Sequence, residues 1–220
     1  MIRVRHGVLP VFLFLLQLAG VPYLSPAAAQ NVPQPAPKPG RFLVAGRRMG
    51  DPRFARSVIL MVRYEDEGAL GLIINKPSEI TLAKLLPEMA GLKTPNDLVY
   101  RGGPVARDGM MFLLRSESMP EQAQHVFADI YVSPSRKLFD KMVVEDDVRL
   151  RSYIGYAGWA AGQLESELRR EDWHVVPADP DTVFTERPDT LWKTLIEQTE
   201  VLFARVLPRL PPPMHARPRL

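Results

Sequence analysis

The chain contains no cysteine in 220 residues. That absence excludes structural disulfides, thiolate nucleophiles, cysteine-ligated zinc and lipid attachment through an N-terminal cysteine, while leaving the redox compartment open. Histidine is scarce as well. Of the four present, His6 lies in an apolar leader and His215 in a proline-rich tail. His125 and His174 remain, without the spacing that would set two ligands on one ion, so no metal site is expected. The sequence also lacks Gly-x-Ser-x-Gly, His-Glu-x-x-His, the P-loop pattern and Gly-x-Gly-x-x-Gly. With them go the signals for serine hydrolases, zinc proteases, nucleotide hydrolases and dinucleotide binding, and no cofactor is expected.

A basic surface is missing too, although the formal charge is +3. Arg3 and Arg5 near the start, and Arg205, Arg209, Arg217 and Arg219 near the end, face no acids in their own segments; taking these six charges away leaves −3 for residues 30–202. Phosphate neutralisation dominates nucleic-acid affinity, so this acidic balance argues against nucleic-acid binding by the core. Nor is there a long hydrophobic run. The apolar stretch from Val8 to Val21 is about 14 residues and contains Pro10 and Gln17, short of the roughly 20 that a spanning helix needs. Following Arg3, Arg5 and His6, and preceding Ala27-Ala28-Ala29, it reads as a secretory signal peptide over residues 1–29, cleaved after Ala29. The expected mature chain is periplasmic or secreted, without a membrane span. The alternatives are an uncleaved anchor, or a misassigned start codon that would leave the protein cytoplasmic.

What is present is enough apolar residue, 46% of the chain, for one sizeable core. Residues 30–40, Q-N-V-P-Q-P-A-P-K-P-G, read as an extended linker, residues 41–203 as the folded domain, and residues 204–220 as a basic, proline-rich tail.

The domain is organised around Ser57 to Pro77. Val58–Val62 and Leu70–Ile74 are unbroken apolar runs that fit strands covered on both faces. Glu65 to Gly68 supply the turn, with Gly68 free to take positive φ. Gly71 inside the second run points to a bulge or a closely passing backbone, and Pro77 is expected to end the strand. Further along, the pattern predicts strands at Phe42–Ala45, Leu98–Tyr100, Met110–Leu114, within Val126–Val132, at Val148–Tyr156 and at Trp173–Val176. Asp51-Pro52 should open a brief helical turn. Helices are expected over Ile80–Met89, from a Ser133-Pro134 cap to about Asp140, over Trp159–Arg170 with Glu165 paired to Arg169, from Asp179-Pro180, and over Leu191–Phe203.

Several blocks stand in a distinctive order: R-F-L-V-A-G, then M-G-D-P-R-F-A-R-S-V, the acidic turn into Gly-Ala, and N-K-P at Asn75 to Pro77. Gly102-Gly103-Pro104-Val105 follows, and Gly155-Tyr156-Ala157-Gly158-Trp159 runs on to Gly162-Gln163-Leu164-Glu165. Over Arg41 to Trp192 this resembles the AlgH/YqgE family. The resemblance implies a single α/β (α+β) domain with a mixed, strongly curved β-sheet flanked by helices. The family has been described as transcriptional regulators, and the resemblance carries over no catalytic residue.

Asn75 and Lys76 at a strand end, Gly102 and Gly103 at a turn able to cradle an anion, and Tyr156, Trp159, Gln163 and Glu165 around the second glycine block are the candidate pocket residues. Each also has a structural reading: Asn75 holding a turn, the glycines admitting a backbone, the aromatics in the core, Glu165 in a surface ion pair. Three functions stay open. One is a non-enzymatic binding or regulatory module for an unknown small molecule or protein. Another is a hydrolase-like enzyme using Lys76, Tyr156 or Glu165, which requires these groups to converge. The third is a transcriptional regulator.

Overall fold

The computed structural model describes residues 35–89, 91–145 and 149–206; the leader, the first part of the linker and residues 207–220 lie outside the described residues. The predicted hairpin is there. Strand β2 (Val58–Glu65) and strand β3 (Gly68–Ile73) pair antiparallel across Asp66 and Glu67. Both features suggested by Gly71 are found. Met61 faces Gly71 while Arg63 faces Leu70, so Val62 is an extra, bulged residue. A Cβ on Gly71 would stand 2.5 Å from Ile59 Cγ2 and 2.9 Å from the Leu60 carbonyl oxygen.

Strand β1 (Arg41–Ala45) pairs with β2 on one side and with β10 (Trp173–Pro177) on the other. On the far side of β3 lies the longest strand, β9 (Arg149–Ala160), which also pairs with β6 (Val105–Arg115). The sheet continues through β8 (Ile130–Ser133) to β7 (Gln124–Phe127), in the order β10-β1-β2-β3-β9-β6-β8-β7. Strand β5 (Leu98–Arg101) joins β9 in parallel and is itself paired with β4 (Pro77–Thr81). That parallel pair makes an otherwise antiparallel sheet mixed. The curl is strong enough to bring its ends together: a Cβ on Gly40, at the entry to β1, would lie 2.6 Å from Phe127 Cβ at the end of β7.

The concave face buries Phe42, Leu60, Leu72, Leu113, Val132 and Tyr153, closed over by helix α4 (Pro180–Val183) and helix α5 (Pro188–Val206). On the convex face, Trp159, Trp173 and Leu164 form one cluster under helix α3 (Gln163–Arg169). Phe112, Phe139 and Leu82 form another with helices α1 (Leu82–Leu85) and α2 (Arg136–Met142). Among the described residues no helix is long and apolar enough to cross a membrane.

Strand β3 stops at Ile73, ahead of Pro77 as expected, and Pro77 itself opens strand β4, since the first residue of an edge strand needs no ladder N–H. Four other expectations are corrected. The helix expected over Ile80–Met89 shrinks to Leu82–Leu85, opened by Thr81 Oγ1 accepting from Lys84 N and cut off before Pro87. Ser133 completes β8, and the cap of α2 is Ser135, whose Oγ accepts from Leu138 N. Finally, β9 runs on to Ala160, so the helix begins at Gln163 with Gly162 as its N-cap at φ +72°. Gly162 thus sits at the helix entrance, not in its interior. At the C-terminal end, α5 continues to Val206, past the residue at which the tail was expected to start.

Candidate functional site

The residues singled out in the sequence do not form one pocket. Asn75 is 7% exposed. Its side-chain oxygen accepts from Val58 N at 2.8 Å and its amide donates to the Arg56 carbonyl at 2.9 Å, which holds Arg56 in a left-handed conformation at φ 57°. Lys76 donates from Nζ to the Arg53 carbonyl at 2.9 Å. Burial pushes the pKa of this ammonium down and neighbouring Arg101 adds to the effect, against an opposing pull from Asp51.

Gly102 and Gly103 are a backbone crossing. The Gly102 N–H is taken by the Ile154 carbonyl at 2.9 Å and its carbonyl by Ile73 N at 2.9 Å, so the N–H has no share left for an anion. A Cβ on Gly103 would overlap the Tyr156 carbonyl. Tyr156 packs into the concave cluster and Trp159 into the convex one, on opposite faces of the sheet. The proposed grouping of Tyr156 with Trp159 is corrected on that ground: three residues apart on one strand, they point to opposite sides.

Gln163 and Glu165 serve the convex face. Gln163 Oε1 accepts from Ala160 N at 3.1 Å. Glu165, expected to pair with Arg169, accepts from the Tyr64 hydroxyl at 2.7 Å and pushes the Tyr64 pKa up. Lys76 and Glu165 therefore have separate partners, Tyr156 packs into the concave cluster, and no nucleophile is paired with a base among them.

Glu167 was missed. Its Oε2 accepts from the indole nitrogens of both Trp159 and Trp173 at 2.8 Å, and its Oε1 from Gln163 Nε2 at 2.9 Å. Phe54 stacks on Trp159 at 6.4 Å and meets Trp173 edge-on at 5.7 Å. Two tryptophans flanking a Gln-x-x-x-Glu helical pair were the available signal.

A cleft opens instead at the start of β9, with a volume of about 710 Å³. Three other clefts measure about 260, 370 and 570 Å³. Leu82, Met142 and Leu150 line one wall, Tyr100, Arg151 and Phe184 the other, with Ser152 between them. Arg151 is fixed: it donates to the Val183 and Thr185 carbonyls at 2.8 and 2.9 Å, and its guanidinium lies 4.5 Å from the Tyr100 ring centroid and 5.5 Å from that of Phe184. Burial pushes the Tyr100 pKa up, with Arg151 opposing. Ser152 is 2% exposed, and its buried Oγ has no hydrogen-bond partner among the described residues, a state it shares with the hydroxyls of Ser57 and Tyr153.

Comparison with known proteins agrees with the architecture. A family described as AlgH-like matches residues 42–204. A UPF0301 protein of Vibrio vulnificus is 36% identical over 170 residues, covering 71% of this chain and 88% of the relative. One of Rhodococcus erythropolis is 33% identical over 192 residues, covering 82% and 87%. Among solved structures, DIP2367 of Corynebacterium diphtheriae superposes with a TM-score of 0.66 at 23% identity over 76% of this chain and 89% of that one, sharing the fold. The AlgH protein of Pseudomonas aeruginosa gives 0.61 at 28% identity, over 81% of this chain and all of the other.

Proposed function

The chain belongs to the AlgH-like family, whose biochemical function is uncharacterised, and we propose that it is a non-enzymatic binding module acting outside the cytoplasm, with the β9 cleft as its ligand site. The observation that carries this reading is the lining of the cleft, where the apolar side chains of Leu82, Tyr100, Met142 and Phe184 converge on the Arg151 guanidinium, the mix of apolar wall and placed polar group that takes a ligand. Arg151 is held by the Val183 and Thr185 carbonyls, which gives the site a rigid wall and lowers the ordering cost of binding.

The hydrolase-like alternative asks Lys76, Tyr156 and Glu165 to act together; the separate hydrogen-bond partners of Lys76 and Glu165, and the packing of Tyr156 into the concave cluster, weigh against it. The regulator reading is disfavoured by the charge of −3 over residues 30–202. Export rests on the leader, which lies outside the described residues.

The site is tested by titrating a fragment library into ¹⁵N-labelled protein. Compounds that bind should move the amide resonances of Leu98–Arg101 and Arg149–Ser152 together. Shifts confined to other regions would refute the assignment. Cell fractionation with N-terminal sequencing tests the location: a mature chain starting at Gln30 outside the cytoplasm is expected, and a full-length cytoplasmic chain would overturn export.

A further inference from the structure

We infer that the ligand of this cleft is an extended peptide that adds to the open edge of β9; the inference rests on the binding-module reading above. The register of β9 is the starting point. On one side it is paired with β6 from Arg149 to Tyr156. On the other, β5 joins at Tyr153 and Ile154 and β3 at Ala157 to Ala160. Arg149 to Ser152 therefore have a strand neighbour on one side, and this is the stretch that lines the cleft.

The direction of the peptide groups follows from one bond. Gly102 N donates to the Ile154 carbonyl, so Ile154 turns its N–H and C=O away from β6. Orientation alternates along a strand, hence Ser152 and Leu150 turn theirs the same way. The first rung of β5 takes up the Ser152 carbonyl. The Ser152 N–H and both polar groups of Leu150 are left facing the cleft, with no backbone partner among the described residues.

The chain before β5 could have covered this edge and instead bends away. Asp97 O accepts from Leu82 N, Pro95 O from Ala83 N, and Lys93 N donates to Val143 O, so this loop satisfies α1 and the end of α2. A strand edge with unmet N–H and C=O groups is a template for another strand. Four residues at about 3.3 Å each give a footing of about 13 Å. Successive side chains of an added strand point to opposite faces, and both faces are walled here. Leu82 and Met142 receive an aliphatic residue on one side, and Tyr100 and Phe184 an aromatic or aliphatic one on the other. The chain's own linker, 30–40, and the segment after α5, 207–220, are rich in proline, which cannot donate to a ladder, so the peptide comes from another molecule.

The test uses the full chain and a set of labelled hexapeptides alternating Val, Leu or Ile with Thr or Tyr. Without peptide, the Leu150 and Ser152 amides should exchange with solvent at least about tenfold faster than those of Arg151 and Tyr153, which face β6. With a binding peptide, they should slow to match. N-methylating alternate peptide amides should weaken binding by tenfold or more in one register and little in the other. The inference is overturned if no peptide binds at about 1 mM, if both methylated registers bind alike, or if the two amides stay unprotected. Small-molecule shifts at the same amides would then leave the binding-module reading standing, and their absence would remove both.

Discussion

Replacing Glu167 by Ala should destabilise this protein far more than a partly exposed glutamate ordinarily would. Its Oε2 is shared by the indole N–H groups of Trp159 and Trp173 at 2.8 Å each, and these rings are 6% and 0% exposed. A hydrogen bond to a charged group contributes about 1.5–3 kcal/mol, and a buried donor left without a partner costs about 1–3 kcal/mol. The Gln163 amide bonded to Oε1 is exposed and can turn to water. Counting the two indoles alone, and discounting for non-additivity within one node, the loss is about 3 kcal/mol. For a domain of this size that is about 6–12 °C in Tm. The assay is urea denaturation followed by tryptophan fluorescence, supported by a thermal melt. Glu167→Gln sharpens it: the amide keeps one oxygen for the two indoles but sets its NH₂ against the Gln163 amide, so the loss should be about half that of Ala. A loss below about 1 kcal/mol for Ala, or equal losses for Ala and Gln, would refute the idea that one carboxylate oxygen holds both rings.

Three further outcomes follow from the geometry. Gly103→Ala should yield little folded protein, because its Cβ would overlap the Tyr156 carbonyl, whereas Gly162→Ala, at φ +72° with nothing within 4 Å, should cost about 1 kcal/mol; expression yield and urea midpoints compare the two. Asn75→Ala should cost about 2 kcal/mol by stranding the buried Val58 N–H, and a urea midpoint unchanged from wild type would count against that role. Burial pushes the His174 pKa below its ordinary value, against Glu171 and Glu200, so the unfolded chain takes up the proton first as pH falls. The stability contribution is present above about pH 6.5 and declines as pH drops through the folded value. Between pH 8 and 5 the wild type should lose more stability than His174→Gln, and a wild type that gains on acidification relative to the variant would sink the argument.

The hairpin was legible because its information is local: Val58–Val62 is apolar without a break, and Gly71 marked both the bulge and the close approach. Membership in the AlgH-like family was legible from blocks in a fixed order. Gly162 was misread because Trp159 to Arg170 carries a helical spacing of apolar residues, while the first two belong to the end of a strand. Propensity reads spacing, but β3 pairing with Ala157 to Ala160 decides the outcome. Glu165 stood out through its apparent ion-pair spacing and Glu167 did not, yet Glu167 holds the two tryptophans. The β9 cleft carried no local signal. It depends on where β5 begins relative to β9, and a partner strand's starting point is not written in the strand it leaves uncovered.

The glycine crossing explains why β9 has an open edge at one end alone. At Gly102, Gly103 and Gly155 three backbones come close enough that a Cβ on Gly155 would stand 2.6 Å from the Gly103 carbonyl oxygen. This lets β5 run off β9 within four residues, and β3 takes over the same edge from Ala157. From Tyr153 onward the edge of β9 is occupied by β5 and then, from Ala157, by β3. Before Tyr153 no strand among the described residues arrives, since the loop before β5 is committed to α1 and α2. The β6 ladder keeps Arg149 to Ser152 extended all the same, so a partner strand meets an edge whose backbone has already been ordered. Folding has met the entropic cost on the protein's side, and this lets a four-residue edge, otherwise too short for useful affinity, grip a peptide.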